Sequence, residues 1–243
     1  MGGIDGDRLM AMMMQVERSL RPRVGLLSMF LLGHMVMGYL LAKPVSKLVR
    51  ENTSTYLLLL AGVIPDFDVL FPSLIRHHTI THSIVYWIPV LLALGIIFRK
   101  RAVPIAIGIV QHFLVGDFLV GASPLLLPLS DIKVGLSLGM PSAADTIIEL
   151  SVLVAVFAYA WANGDARNVI AGRRENILMI IPLVAMVGLS AFVTGETELV
   201  PLVTYGFSRR ALSAITIGHI VLGAAMLIAV IQGLKQPRLN LTR

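Results

Sequence analysis

Cysteine is absent from the chain, which removes disulfides and thiolate metal sites together. Any metal held here must be bound by imidazole and carboxylate. Charge is scarce as well: 14% of the 243 residues are charged and 56% are hydrophobic, where soluble domains average about 25% and 45–50%. With a mean hydropathy of +0.84, this composition argues for an integral membrane protein without a separate soluble domain. The net charge of +6 might suggest nucleic acid, but the basic residues lie in short loops between apolar runs and are not interleaved with aromatics. That is the ordinary topology signal of a membrane protein, and no nucleic-acid partner is expected. There is no internal repeat, and residues 1–22 are too short and interrupted for a signal-peptide core.

What is present is a series of apolar runs, near 23–42, 54–71, 83–98, 103–129, 143–161, 177–194 and 211–233. At about 20 residues per span they predict an all-α, polytopic transmembrane bundle of six to seven spans. The run at 54–71 is short and holds Pro65 and two aspartates, so a short or re-entrant segment is expected there. The run at 103–129 contains Gly116, Gly121 and Pro124 and is expected to end in broken backbone. Residues 1–22, with Met10, Met12, Met13 and Met14 among polar neighbours, form an interfacial N-terminal arm in this scheme. Residues 23–161 form a core, and 162–243 add two C-terminal membrane helices. Loops near 43–53, 99–102 and 162–176, with the tail, carry twelve Lys or Arg against eight on the opposite side. A cell-membrane, multi-pass protein with a cytoplasmic C-terminus follows, and the 77–83 segment then lies on the outer side.

Three polar clusters interrupt the apolar pattern: Pro65-Asp66-Phe67-Asp68, the 77–83 segment His-His-Thr-Ile-Thr-His-Ser, and Gln111-His112 followed by Asp117. An ionisable group at a membrane helix centre costs roughly 2.5–3.5 kcal/mol on insertion scales, so such groups must satisfy one another or bind something. Pro65 can interrupt a helix and turn both carboxylates inward, one for a metal and the other to orient a ligand histidine. A loop leading into a helix capped by Thr81 or Ser83 would let His77 and His82 converge. His112 and Asp117 are five apart, one more than a shared α-helical face allows, so a bend at Gly116 or a π-bulge is needed to bring them together; otherwise Asp117 supports the site from behind. Asp145 and Glu149 share a face of the next run, as ligand or general base, or as acids favoured by a helix N-terminus. His34 sits mid-span and is a further candidate ligand, whereas His219 reads as a packing residue.

Taken in order, Gly33-His34, Ile64-Pro65-Asp66-Phe67-Asp68, His77 with Thr81-His82-Ser83, and His112 with Pro124-Leu125-Leu126-Leu127-Pro128 resemble the YdjM-like family. Its members are described as LexA-binding, inner-membrane-associated and as membrane-bound metal-dependent hydrolases. The similarity covers about residues 30–150, with Glu149 at the place of a late family glutamate. The chain departs from the family at His77-His78-Thr79, where His-Arg-Gly is usual, and at Gly116, where His-x-x-x-Asp would place the acid. The resemblance implies kinship with zinc-dependent phospholipases C.

Residues and resemblance together give a metal set of His34, Asp66, His77, His82 and His112. Asp68, Asp117 and Glu149 are left for catalysis or ligand support. The ion expected on imidazole and carboxylate ligands is zinc, and the expected reaction is hydrolysis of a phospholipid or other membrane-associated phosphoester, with membrane lipids as partners. Two alternatives stand beside it: a metal-ion or proton-coupled transporter, because buried acids and histidines also line ion paths, and an interaction protein with a structural metal.

Overall fold

The computed structural model describes residues 31–71, 74–75, 79–138, 143–196 and 206–236. The N-terminal arm and His77 lie outside these residues. The described chain is all-helical. Helix α1 (Leu31–Leu48) is central: nearly every side chain from Leu31 to Tyr39 is buried, as expected of a helix that is apolar all round. Short α2 (Thr55–Ala61) stops at Gly62 and gives way to a 3₁₀ segment, Ile64–Leu70, with Pro65 at its start. Proline fits there because its missing N–H would be unpaired in a first turn anyway. Seven α-helical residues reach only about 10 Å, too little to cross a bilayer, in keeping with the short segment expected at 54–71.

The next stretch turns back on itself. Helix α3 (Ile84–Phe98) is followed by a 3₁₀ turn, Arg99–Arg101, and by α4 (Ala102–Gln111). Arg99 enters the turn with a positive φ of 52°. Trp87 on α3 and Ile109 and Phe113 on the return share one apolar cluster, and Ile84 N–H bonds Leu125 O at 3.0 Å beyond the far end of the return. A π-helical turn, His112–Gly116, and short α5 (Asp117–Val120) complete it. From Gly121 to Leu138 the chain is irregular, with one bridge between Ser123 and Val134. Helices α6 (Ala143–Asn163), α7 (Asp165–Ile170), α8 (Ile180–Glu196) and α9 (Gly206–Leu234) follow. Met186, Leu222 and Met226 of the last two join the α1 core.

Among the described residues, three helical stretches are long and apolar enough to cross a membrane: Ile84–Val120, Ala143–Asn163 and Ser213–Leu234. The first, because it reverses at Arg99–Arg101, contributes two antiparallel legs.

The two ends of the bundle differ chemically. At one end Arg101 Nε approaches Glu51 Oε2 at 3.3 Å, and buried Lys43 pairs with Asp165 at 2.9 Å. Lys47 and Arg50 lie at this end of α1, and backbone near Arg173 packs on Gly233 of α9. His34 lies nine residues back along α1 from Lys43, about 13 Å by helical rise, toward the other end.

Candidate metal centre

The second polar end is assembled from four segments, and local backbone chemistry sets each. Asp66 and Asp68 follow Pro65 in the 3₁₀ segment, and both carboxylates are buried. His82 closes a 3₁₀ turn, Ile80–His82. Ser83 then caps α3 by accepting from Val85 N–H at 3.2 Å, the capping role that serine favours. His112 and Asp117 bracket the π turn, whose extra residue brings an i, i+5 pair onto one face. His34 comes from α1. Gly62 lies against it: a Cβ at this position would run into the His34 carbonyl, so only glycine permits this crossing of α1 and α2.

His34, Asp66, His82, His112 and Asp117 thus converge, all essentially solvent-free. Asp66 Oδ1 is 3.2 Å from His112 Nε2 and 3.3 Å from His82 Nε2, and the two Nε2 atoms are 3.2 Å apart. Ligands bound at about 2.0–2.1 Å around a tetrahedral zinc stand about 3.3–3.4 Å from one another. The triangle therefore has the size of one face of such a site.

Proton placement strengthens the fit. His112 Nδ1 is 2.8 Å from Gly62 O; a carbonyl only accepts, so this nitrogen carries the proton and Nε2 presents its lone pair. On His82, Nδ1 faces Thr81 Oγ1 at 3.2 Å and Asp68 Oδ2 at 3.6 Å. Thr81 donates its own hydroxyl to Asp68, so it can accept from His82 Nδ1–H. The Nε2 lone pair of His82 then also points into the triangle. Two imidazole lone pairs and a carboxylate oxygen aimed at one point repel unless a cation sits among them.

Asp117 flanks this triangle. Its Oδ2 accepts from Ser123 Oγ at 2.7 Å and lies 3.7 Å from His82 Nε2; its Oδ1 is 4.0 Å from His112 Nε2 and 3.6 Å from His34 Nε2. The His34 ring stacks on His112, centroids 3.8 Å apart, and neither of its buried nitrogens makes a hydrogen bond. Two overlapping donor groups result: Asp66, His82 and His112, and His34, His112 and Asp117. They share the single lone pair of His112, so they form one centre.

Asp68 meets the sequence expectation through its oxygen on Thr81 and its approach to His82, the place of a group that orients a ligand. Asp145 and Glu149 are fully buried one turn apart on α6, and neither belongs to the two donor groups. His219 bonds Ile215 O, one turn back on its own helix, at 2.9 Å, consistent with a packing residue. Sequence reasoning missed Gly62 and Ser123. Gly62 is the lone glycine between Gly38 and Gly95, and that isolation just before the Pro-Asp segment was the available signal. Ser123 carried none. Gln111, singled out with His112, donates to His34 O at 3.0 Å and ties α4 to α1.

An all-helical protein with apolar spanning stretches and a buried His/Asp centre is the class these features define: an integral membrane protein. The family model for YdjM inner membrane protein matches residues 29–197, and the chain belongs to that family. The match runs well past residue 150, where the sequence resemblance was placed, and takes in α6, α7 and α8. No curated protein and no solved structure matches the chain.

Proposed function

We propose that this protein is a membrane-embedded, metal-dependent hydrolase acting on a phospholipid or another membrane-associated phosphoester. The observation that carries the reading is the acceptor triangle of Asp66, His82 and His112, whose lone pairs call for a cation. Zinc suits these ligands. His34 and Asp117 stand next to the triangle and complete the donor set; His77 remains a candidate from the sequence.

When bound, a divalent ion supplies Lewis acidity at a phosphoryl or acyl oxygen and makes water a better nucleophile. The chain's own groups do the rest. Gly62 O holds His112 in one tautomer, and the Asp68–Thr81 pair does the same for His82, as outer partners of ligand histidines commonly do. Asp117, held by Ser123, is the carboxylate placed to accept a proton beside the centre, with Glu149 a more distant candidate.

The apolar interior argues for a hydrolase over a transporter. Met35, Val36, Leu58 and Leu59, all buried, fill the interval between the His34 centre and the Lys43–Asp165 pair, where an ion path would need polar groups. In this proposal the basic end faces the cytoplasm, which puts the tail there and the centre toward the outer side.

The test is metal content of the detergent-purified protein by elemental mass spectrometry, wild type beside His82→Ala and Asp66→Ala. At least one equivalent of zinc, lost in both variants, is the expected result and opens a screen of phospholipid hydrolysis. A folded wild type that holds no metal after zinc is supplied and the excess removed would overturn the proposal.

A further inference from the structure

The irregular segment after α5 is pinned firmly and yet presents oil to the outside. Its backbone is tied down at several points: Ser123 and Val134 exchange bonds of 3.1 and 3.0 Å, Leu136 N–H reaches Phe118 O at 2.7 Å, and Ser137 N–H reaches Gly121 O at 3.0 Å. Ser83 Oγ donates to Leu125 O and Leu127 O at 3.0 and 2.6 Å. The segment is thus fastened to the start of α3 and, through Ser123, to Asp117 of the candidate centre. Outward, Leu129 is 77% exposed, Ile132 70% and Leu126 49%. Asp131 and Lys133 are the charges within 121–138.

What covers these side chains can be read from what adjoins them. Ile84, bonded to Leu125, begins α3, whose exposed face continues through Tyr86 and Ile88 to Leu92 and Ile96. This helix belongs to a stretch apolar enough to cross a membrane. The apolar surface is therefore continuous from a lipid-facing helix onto the loop, with Tyr86 near the junction, where amphipathic aromatics mark the membrane interface. Irregular backbone is not tolerated bare in hydrocarbon, but a loop with its own hydrogen bonds can sit at the headgroup–acyl boundary.

We propose that residues 124–136 are seated in the leaflet on the side of the His/Asp centre, with acyl chains covering Leu126, Leu129 and Ile132. The loop then forms the wall between that centre and the bilayer. The inference rests on the membrane class of the protein and stands whether or not the centre is catalytic.

The natural absence of cysteine makes the test direct. Leu129→Cys and Ile132→Cys, each exposed and so free of core packing, are labelled with a nitroxide in the full chain reconstituted in phosphatidylcholine vesicles. Collision with oxygen, which concentrates in lipid, is compared with collision with a water-soluble nickel chelate. Leu92→Cys on the lipid face of α3 and Lys100→Cys at the basic end set the two limits. The expected result is a depth parameter at 129 and 132 of the same sign as at 92. Nickel access equal to that at 100 would overturn the proposal by placing the loop in water. Protection from both reagents would overturn it by showing a protein, including a second copy of this chain, on the surface.

Discussion

Replacing Gly116 by alanine adds one methyl group against the flat of the His34 ring. A Cβ built there overlaps ring atoms Cε1 and Nδ1. Comfortable carbon contacts lie at about 3.5–4.0 Å, so the ring must retreat by about 1 Å or more. It has nowhere to go, because its other face is stacked on His112 with centroids 3.8 Å apart. Overpacking of this kind costs about 1–3 kcal/mol, while exchanging glycine for alanine in a helix returns about 1 kcal/mol. The fold should therefore survive with a net loss of about 0–2 kcal/mol. The donor cluster should not survive so well, since metal ligands must sit within about 0.2 Å of their places. Pushing His34 into His112 disturbs two of the five donors at once, and a drop in zinc affinity of at least about 10–100-fold is expected, the size seen when a ligand loses its support. Affinity is read by competition with a chromophoric chelator, and melting in detergent checks the fold. Gly95→Ala is the control, because a Cβ there meets nothing within 4 Å; it should leave both readouts unchanged. Wild-type zinc affinity in a folded Gly116→Ala protein would refute the packing account of the centre.

Thr81→Val keeps the shape of the side chain but removes the hydroxyl that links Asp68 to His82. Zinc affinity should fall by about 10–100-fold with melting little changed, measured by the same competition; loss of folding without loss of affinity in the remaining folded protein would contradict the orienting role. At the opposite end, Lys43→Met should destabilise the protein by about 3–5 kcal/mol by stranding Asp165, whose Oδ2 also accepts from Tyr39 at 2.8 Å. Lys43→Met with Asp165→Asn should recover most of that loss in urea or thermal unfolding, and neither change should alter zinc content.

The sequence made the helical membrane class legible because hydropathy is a sum over many residues and survives local error. The convergence of His112 and Asp117 was legible as a requirement: five-residue spacing cannot share an α-helical face, and the π turn at His112–Gly116 meets it. The Pro65 break was legible for the same reason, since proline forbids the continuing helix. Gly62 was not, because its role depends on the crossing of α1 over α2, a tertiary contact no spacing encodes. Ser123 escaped notice because it meets Asp117 only after the chain has left its helix. The number of spans is also weakly encoded: an apolar run states that a segment avoids water, not how far it travels before turning, as the reversal at Arg99–Arg101 illustrates.

The π turn carries a genetic consequence. One residue inserted into a helix ordinarily rotates all that follows by about 100°, and inside a membrane that would trade a protein-facing surface for a lipid-facing one. Here the surplus residue is taken up within His112–Gly116. Asp117 still faces His34, and Phe118 O still meets Leu136 N–H at 2.7 Å. A spacing change of one residue between histidine and aspartate is thereby confined to a single turn. Lineages of this family can differ in length at that point without redirecting the helix beyond it, so gaps in the motif need not signal loss of the centre.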